Sequence, residues 1–243
     1  MTIRKLLGHS VFQVAGGIAV GVLAGAMGIF GFTSASSQAH VRPAAPPTVS
    51  SRAARLADFG DATPSQDARS FADWVATSND AGRSAFLIVD KKDAKLYVFG
   101  PDAKLVSASP ILLGLAKGDE SEPGIGSRPL DQLRPEERTT PAGRFIGQRG
   151  HDARGEDVVW VDYESAVAIH RVLTTNPAER RLQRLATPTN ADKRISSGCI
   201  NVPVVFYETY VRPIFANHRA IVYVLPEIKS LQQVFNNFHP RSA

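Results

Sequence analysis

Apolar and polar positions change their spacing several times along this chain, and each change marks an element. From Val11 to Phe32 only Gln13 interrupts an apolar run of 22 residues, long enough to span a bilayer. His40 to Pro64 is rich in Ala, Pro and Ser without periodicity, the composition of a disordered tether. Gln66 to Thr77 then places Phe71, Trp74 and Val75 on one helical face, so a helix docked on the main body is expected.

From Ser84 the pattern shortens to strand length. Ala85–Asp90, Lys95–Phe99 and Lys104–Leu113 are separated by the turns Lys91-Lys92-Asp93 and Gly100-Pro101-Asp102. Thr139 to Phe145 is a turn leading into a further strand; Asp157–Asp162, Ala166–Val172 and Ala220–Leu225 are others. Short strands with close turns predict an antiparallel sheet. Asn176-Pro177-Ala178-Glu179 has the form of a capping box opening a helix through Leu185. Val204–Val211 reads as a short helix with Asn201 as cap and Pro203 in the first turn, ending before Pro213. Ile228–Phe238 closes the chain as an amphipathic helix with Leu231, Val234, Phe235 and Phe238 on one face.

One long interval breaks the rhythm. Ala116–Arg138 holds three glycines, three prolines and ten charged residues. A connection of this length without regular structure is functional or mobile, and a mobile cleft border is the expectation here.

At the front, Arg4 and Lys5 precede the apolar run and keep that end cytoplasmic. Ser37-Gln38-Ala39 fits a small-x-small cleavage site, whereas Gly17, Gly21 and Gly25 at four-residue spacing suit a retained transmembrane helix. A cleaved signal and a signal-anchor over 11–32 both stay open, and both export the rest. Formal net charge is +5, of which Arg4 and Lys5 supply two, leaving about +3 for the remainder. An exported chain without aromatic-basic interleaving is not a nucleic-acid binder. An anionic wall polymer or lipid headgroup is the better-matched partner. No metal-ligand spacing and no nucleotide-binding glycine loop occurs, so neither a metal nor a cofactor is expected.

The only cysteine, Cys199, lies in Ile195-Ser196-Ser197-Gly198-Cys199-Ile200-Asn201-Val202-Pro203. A lone thiol in an exported protein is incidental, linked to another chain, or reactive. Ser-Ser-Gly leaves room for a carbonyl to approach the sulfur, and a helix beginning just downstream favours thiolate. A buried structural cysteine is the alternative. His170 shares a strand face with Ala166 and Ala168, open space that suits a working imidazole more than a packed one. It is the candidate base. The N–H groups of Gly198 and Cys199 are candidates for an oxyanion hole. Arg180, Arg181 and Arg184, with Lys193 and Arg194, form either a solvated face or a carboxylate-binding one.

These pieces together resemble the L,D-transpeptidase catalytic domain family (YkuD-like), over about Ala85 to Pro226. Phe86–Asp90 with Lys95–Phe99, Thr140-Pro141-Ala142-Gly143-Arg144-Phe145, Ala168-Ile169-His170 and Ser196-Ser197-Gly198-Cys199-Ile200-Asn201 carry the resemblance. It implies a mainly β fold with small helices, in two antiparallel sheets. It also implies attack by Cys199 on a peptidoglycan tetrapeptide stem, with His170 as base and the Arg171 carbonyl orienting the ring. Ser196, Ser197 and Gly198 would support the loop. Asn201, Arg180, Arg184 and Arg194 are the residues to hold substrate. Arg171 and Ser197 depart from the family's commonest residues, and about a dozen residues are inserted between His170 and the cysteine motif.

The domain reading is thus signal or signal-anchor at 1–39, tether and docking helix at 40–83, catalytic domain at 84–226, and C-terminal helix and tail at 227–243. Two other functions fit the same residues: a thiol hydrolase with water as acceptor, and a non-catalytic wall-binding module.

Overall fold

The computed structural model describes residues 56–216 and 218–240. The apolar run at 11–32, the cleavage motif and most of the tether lie outside them. Among the described residues no helix is long and apolar enough to cross a membrane. Helix α1 (Gln66–Ser78) leads into strands β1 (Phe86–Asp90), β2 (Lys95–Phe99), β3 (Leu105–Pro110) and β4 (Leu113–Gly114). Strands β5 (Gly143–His151), β6 (Asp157–Asp162) and β7 (Val167–Arg171) follow, then α2 (Arg181–Ala186), β8 (Arg194–Ser196) and β9 (Ile200–Val202). The chain ends through α3 (Val204–Phe206), a π turn at Tyr207–Val211, α4 (Arg212–Ile214), β10 (Ala220–Val224) and α5 (Leu231–Val234).

The fold is mainly β with small helices. Eight strands run in the order β3-β2-β1-β10-β5-β6-β7-β9, and β4 pairs with β8 alone. The nine-residue β5 serves two halves of the large sheet: Gly143–Gly147 pairs with β10, and Gln148–His151 with β6. The halves face each other across one core. Leu87, Val89, Leu96 and Val98 come from one side, and Val159, Ile169, Ile200 and Val202 from the other. The outer face of the first half is covered too, by α1 and the C-terminal segment: Phe71, Phe235 and Phe238 pack on Phe86, Phe99 and Tyr223. Burial on both faces is why β1 reads as a continuous apolar run and not an alternating one.

Several details differ from the sequence-based expectation. Three pairings, β1–β10, β7–β9 and β4–β8, are parallel, so the sheet is mixed. The strand expected over Lys104–Leu113 is two, because Pro110 has no N–H to continue the ladder and ends β3. The helix after Pro203 does not stop before Pro213. Its middle widens into the π turn, whose shifted hydrogen bonding accommodates the missing N–H, and it continues to Ile214. Asn201 is not its cap but a buried strand residue, and Pro203 occupies the cap position. The closing helix is only Leu231–Val234, although Phe235 and Phe238 are buried as their spacing implied.

The segment 116–138 contains three 3-10 turns, and both it and its neighbours are tied down by buried charges. The Lys91 ammonium donates to the carbonyls of Gly118 and Thr140 and to Asp119 at 2.7 Å. Asp119 also accepts the N–H groups of Glu227, Ile228 and Lys229 at 2.7–2.9 Å. Arg194 closes the set on Glu227 and on the Lys91 carbonyl. Burial pushes the Asp119 carboxyl upward, but the Lys229 N–H, Lys91 and the Glu227 N–H more than offset it and hold it at about 2.

Removing one partner from such a buried set leaves the others uncompensated. Asp119→Ala is expected to lower unfolding free energy by about 3–5 kcal/mol. Breaking the exposed Lys92–Asp67 pair through Asp67→Ala should cost less than about 1 kcal/mol. Because the folded-state value of Asp119 lies below the ordinary 3.8, its contribution is complete above that value and fades as pH falls toward 2. Urea denaturation of both variants across pH checks the ranking and the acid limb.

Candidate active site

The cysteine loop is held from three directions. Gly198 has φ 129°, and a Cβ there would stand 2.8 Å from the Thr139 carbonyl, so only glycine fits. Buried Thr140 accepts the Gly114 N–H at 2.9 Å and donates to the Gly198 carbonyl at 2.8 Å. Ser196 Oγ accepts the Gly198 N–H at 3.2 Å and donates to the Cys199 carbonyl at 2.6 Å. Asn201 Nδ2 donates to that same carbonyl at 3.3 Å. The side chain of Ser197 takes no part in these bonds.

Strand pairing sets the histidine beside the loop. In the parallel β7–β9 ladder Ile169 registers with Ile200 and His170 with Asn201. Val167, Ile169, Ile200 and Val202 point into the core. Alternation therefore puts Ala168, His170 and Asn201 on the opposite face, with Cys199 at its edge. His170 Nδ1 lies 2.7 Å from the Arg171 carbonyl. A carbonyl only accepts, so Nδ1 carries the proton and Nε2 keeps the lone pair. The Arg171 side chain is anchored by Glu208 and the Asp157 carbonyl and lies over the Tyr207 ring at 4.4 Å, which ties the end of β7 to the π turn.

The neighbouring helix start expected to favour thiolate is not next to the sulfur. Strand β9 and Pro203 separate Cys199 from α3, so no helix charge acts on it. Burial pushes the thiol above its ordinary value, opposed by the Ala168 N–H. Burial likewise pushes His170 below its ordinary value, opposed by the Arg171 carbonyl. Burial thus favours the uncharged form of each, and Sγ donates to the Ala166 carbonyl at 3.5 Å. Ala166 adopts φ 53° at the end of a turn closed by its N–H on the Tyr163 carbonyl. Segment 116–138 buttresses that turn: a Cβ on Gly126 would come 2.3 Å from the Glu164 carbonyl. Asp119 to Pro123 also line a cavity of about 490 Å³ with Ala142, Phe145, Asp162 and Ser165. The segment is thus a brace for the turn that carries Ala166, and the cavity it lines includes neither Cys199 nor His170.

Of the candidate substrate residues, Asn201 is at the centre. Arg184 and Arg194 are bound up in the fold: Arg184 spans the Glu179 and Asp192 carbonyls, and Arg194 joins the Glu227 network. Arg180 is exposed, with φ 50°. That positive φ splits the expected helix into a 3-10 turn at Pro177–Glu179 and α2. Arg181 is the one of the group that reaches the site, with Nη1 2.6 Å from Asn201 Oδ1. Thr140 and Arg181 are the site residues that sequence reasoning passed over. Thr140 was visible only within its motif, and Arg181 only as one arginine of three.

No family model matches the chain, and no curated protein is similar to it. Among solved structures, it is similar to the helical cell shape determining protein Pgp2 of Campylobacter jejuni at 17% identity and TM-score 0.41, over 65% of this chain and 55% of that one. It is similar to an L,D-transpeptidase of Enterococcus faecium at 17% identity and TM-score 0.32, over 58% and 50%. A third is an L,D-transpeptidase of Xylanimonas cellulosilytica, at 14% identity and TM-score 0.36, over 60% and 62%. The matched region thus spans about half to three fifths of those chains.

A neutral, buried thiol alkylates slowly until the solvent pH approaches its raised ionisation range. Iodoacetamide modification of Cys199 is expected to be slow at pH 7 and still climbing above pH 9, the ordinary thiol value. Labelling rates followed by intact mass check this; a rate already level at pH 7 would instead show a thiolate–imidazolium pair.

Proposed function

We propose that this protein is a cysteine-dependent acyltransferase of the peptidoglycan layer, an L,D-transpeptidase. The observation that carries the reading is the β7–β9 register, which brings His170, its tautomer fixed by the Arg171 carbonyl, alongside the braced loop of Cys199. The motif resemblance over Ala85–Pro226 supplies the substrate.

In the first half-reaction, Sγ attacks the carbonyl carbon of the diamino-acid residue in a tetrapeptide stem. The S–C bond forms as the thiol proton passes to His170 Nε2. The Gly198 N–H is committed to Ser196, which leaves the Cys199 N–H as the donor this loop offers the oxyanion. The C–N bond to the terminal D-alanine breaks, and the imidazolium returns its proton to the leaving amine. In the second, a side-chain amine of another stem attacks the thioester. It gives a proton to His170, the C–S bond breaks, and the sulfur recovers its proton. The product is a 3→3 crosslink, or a protein joined to the wall if the amine is a protein's. A neutral resting pair suits this sequence, because the proton moves only when the carbonyl is in place. Export, with residues 11–32 as signal or inner-membrane anchor, belongs to the same reading.

Purified protein with disaccharide-tetrapeptide is expected to release D-alanine and form crosslinked dimer, measured by mass spectrometry. Cys199→Ser and His170→Ala should fold and each lose at least about 100-fold in acylation, and the double variant should lose no more than the worse single one. Wild-type activity should fall on the acid side below pH 6.5, as His170 protonates. Tripeptide without dimer would move the function to hydrolysis. Failure of wild type to form a thioester with either stem or carbapenem would leave only a wall-binding module.

A further inference from the structure

Three arginines lie close together in the insertion between His170 and Cys199, and the backbone sorts them. The positive φ of Arg180 turns the chain, so that Arg180 is exposed and Arg184 is spent on backbone carbonyls. The Arg181 side chain is 12% exposed. Its Nε pairs with Glu179 Oε2 and its Nη1 with Asn201 Oδ1 at 2.6 Å. Among the described residues its Nη2 makes no hydrogen bond. Two fixed contacts immobilise the planar fork and leave one corner for a ligand oxygen.

That corner stands next to the chemistry. Asn201 registers with His170 across the ladder, and its Nδ2 holds the Cys199 carbonyl at 3.3 Å. One side chain therefore separates the guanidinium from both reacting residues, and its charge bears on each. Arg154 bears on them as well, but its side chain is 52% exposed and pairs only with neighbouring Asp152. Arg181 is the cation that is both shielded from solvent and fixed to Asn201.

We propose that Arg181 is the specificity residue for the donor peptide, binding the free C-terminal carboxylate of the residue that leaves. This rests on the acyl-transfer reading above. A single leaving residue puts its carboxylate one Cα beyond the scissile amide, within the neighbourhood of a cation standing beside the nucleophile. A longer or amidated C-terminus presents no anion at that place. Because the corner left free is a charge-assisted donor, it discriminates a carboxylate from the isosteric amide.

The test compares thioester formation by intact mass on a tetrapeptide stem and on its C-terminal amide. Wild type should favour the free acid by roughly 10- to 100-fold in kcat/KM. Arg181→Gln, which keeps a donor for Asn201 and removes the charge, should bring that ratio near unity by raising KM for the acid. Its rate on the amide should fall much less than its rate on the acid. Arg181→Lys should restore part of the preference. Equal loss on both peptides would make Arg181 a mere prop for Asn201 and overturn the proposal, as would a preference that survives Arg181→Gln. Wild type that acylates with neither peptide overturns the acyl-transfer reading itself and this proposal with it. An unfolded Arg181→Gln is detected by circular dichroism, and the Lys variant then decides by the same ratio.

Discussion

The buried set of Lys91, Asp119, Arg194 and Glu227 is the constraint on which the site's geometry rests. Two cations and two anions cancel, so the set is neutral, yet each member is desolvated and needs the others. It binds together the end of β1, the start of segment 116–138, strand β8 and the chain leaving β10. Its reach extends to Cys199. Lys91 holds the carbonyl of Thr140, the hydroxyl of Thr140 holds the carbonyl of Gly198, and Gly198 precedes Cys199. A hydrophobic replacement of the set would pack as well, but it would not fix the direction of the Thr140 peptide.

The same burial that steadies the loop governs its chemistry. Taking Cys199 and His170 out of water disfavours a charge on either, and no nearby helix start reverses that. Under the proposed function, this is an acid–base pair whose uncharged forms burial favours. In the proposed reaction, the driving force for ionisation would come from a correctly seated carbonyl and its developing oxyanion.

Much of this was legible in the sequence, and the reasons are local. Strands β2 and β6 matched their expected limits because turn residues punctuate them on both sides. Phe71, Phe235 and Phe238 were identifiable as core from spacing alone. That His170 and Cys199 come together in space was readable from the motifs, as the β7–β9 pairing shows, but the effect of burial on their ionisation was not, since burial is a property of the packed molecule. Parallel pairing was hidden because nothing in a strand names its partner. Arg181 was hidden for a subtler reason: one left-handed residue, Arg180, decides which of three arginines turns inward, and that dihedral has no signature when the residue is not glycine or asparagine. Pro213 misled because the π turn ahead of it has no pattern of its own.

The order of strands has a kinetic meaning. Strand β10 is nearly the last element made, yet it lies in the middle of the large sheet, between β1 and β5. Its partner β1 begins at Phe86 and pairs with Ile221, so every other strand lies in the loop that this contact closes. The first half of the sheet, β3-β2-β1-β10 with the start of β5, is incomplete before that closure, and contacts so distant along the chain form slowly. The half next to the cysteine loop is built from nearer pairings, so the half that holds β1 is expected to close after it, when β10 slots between β1 and β5.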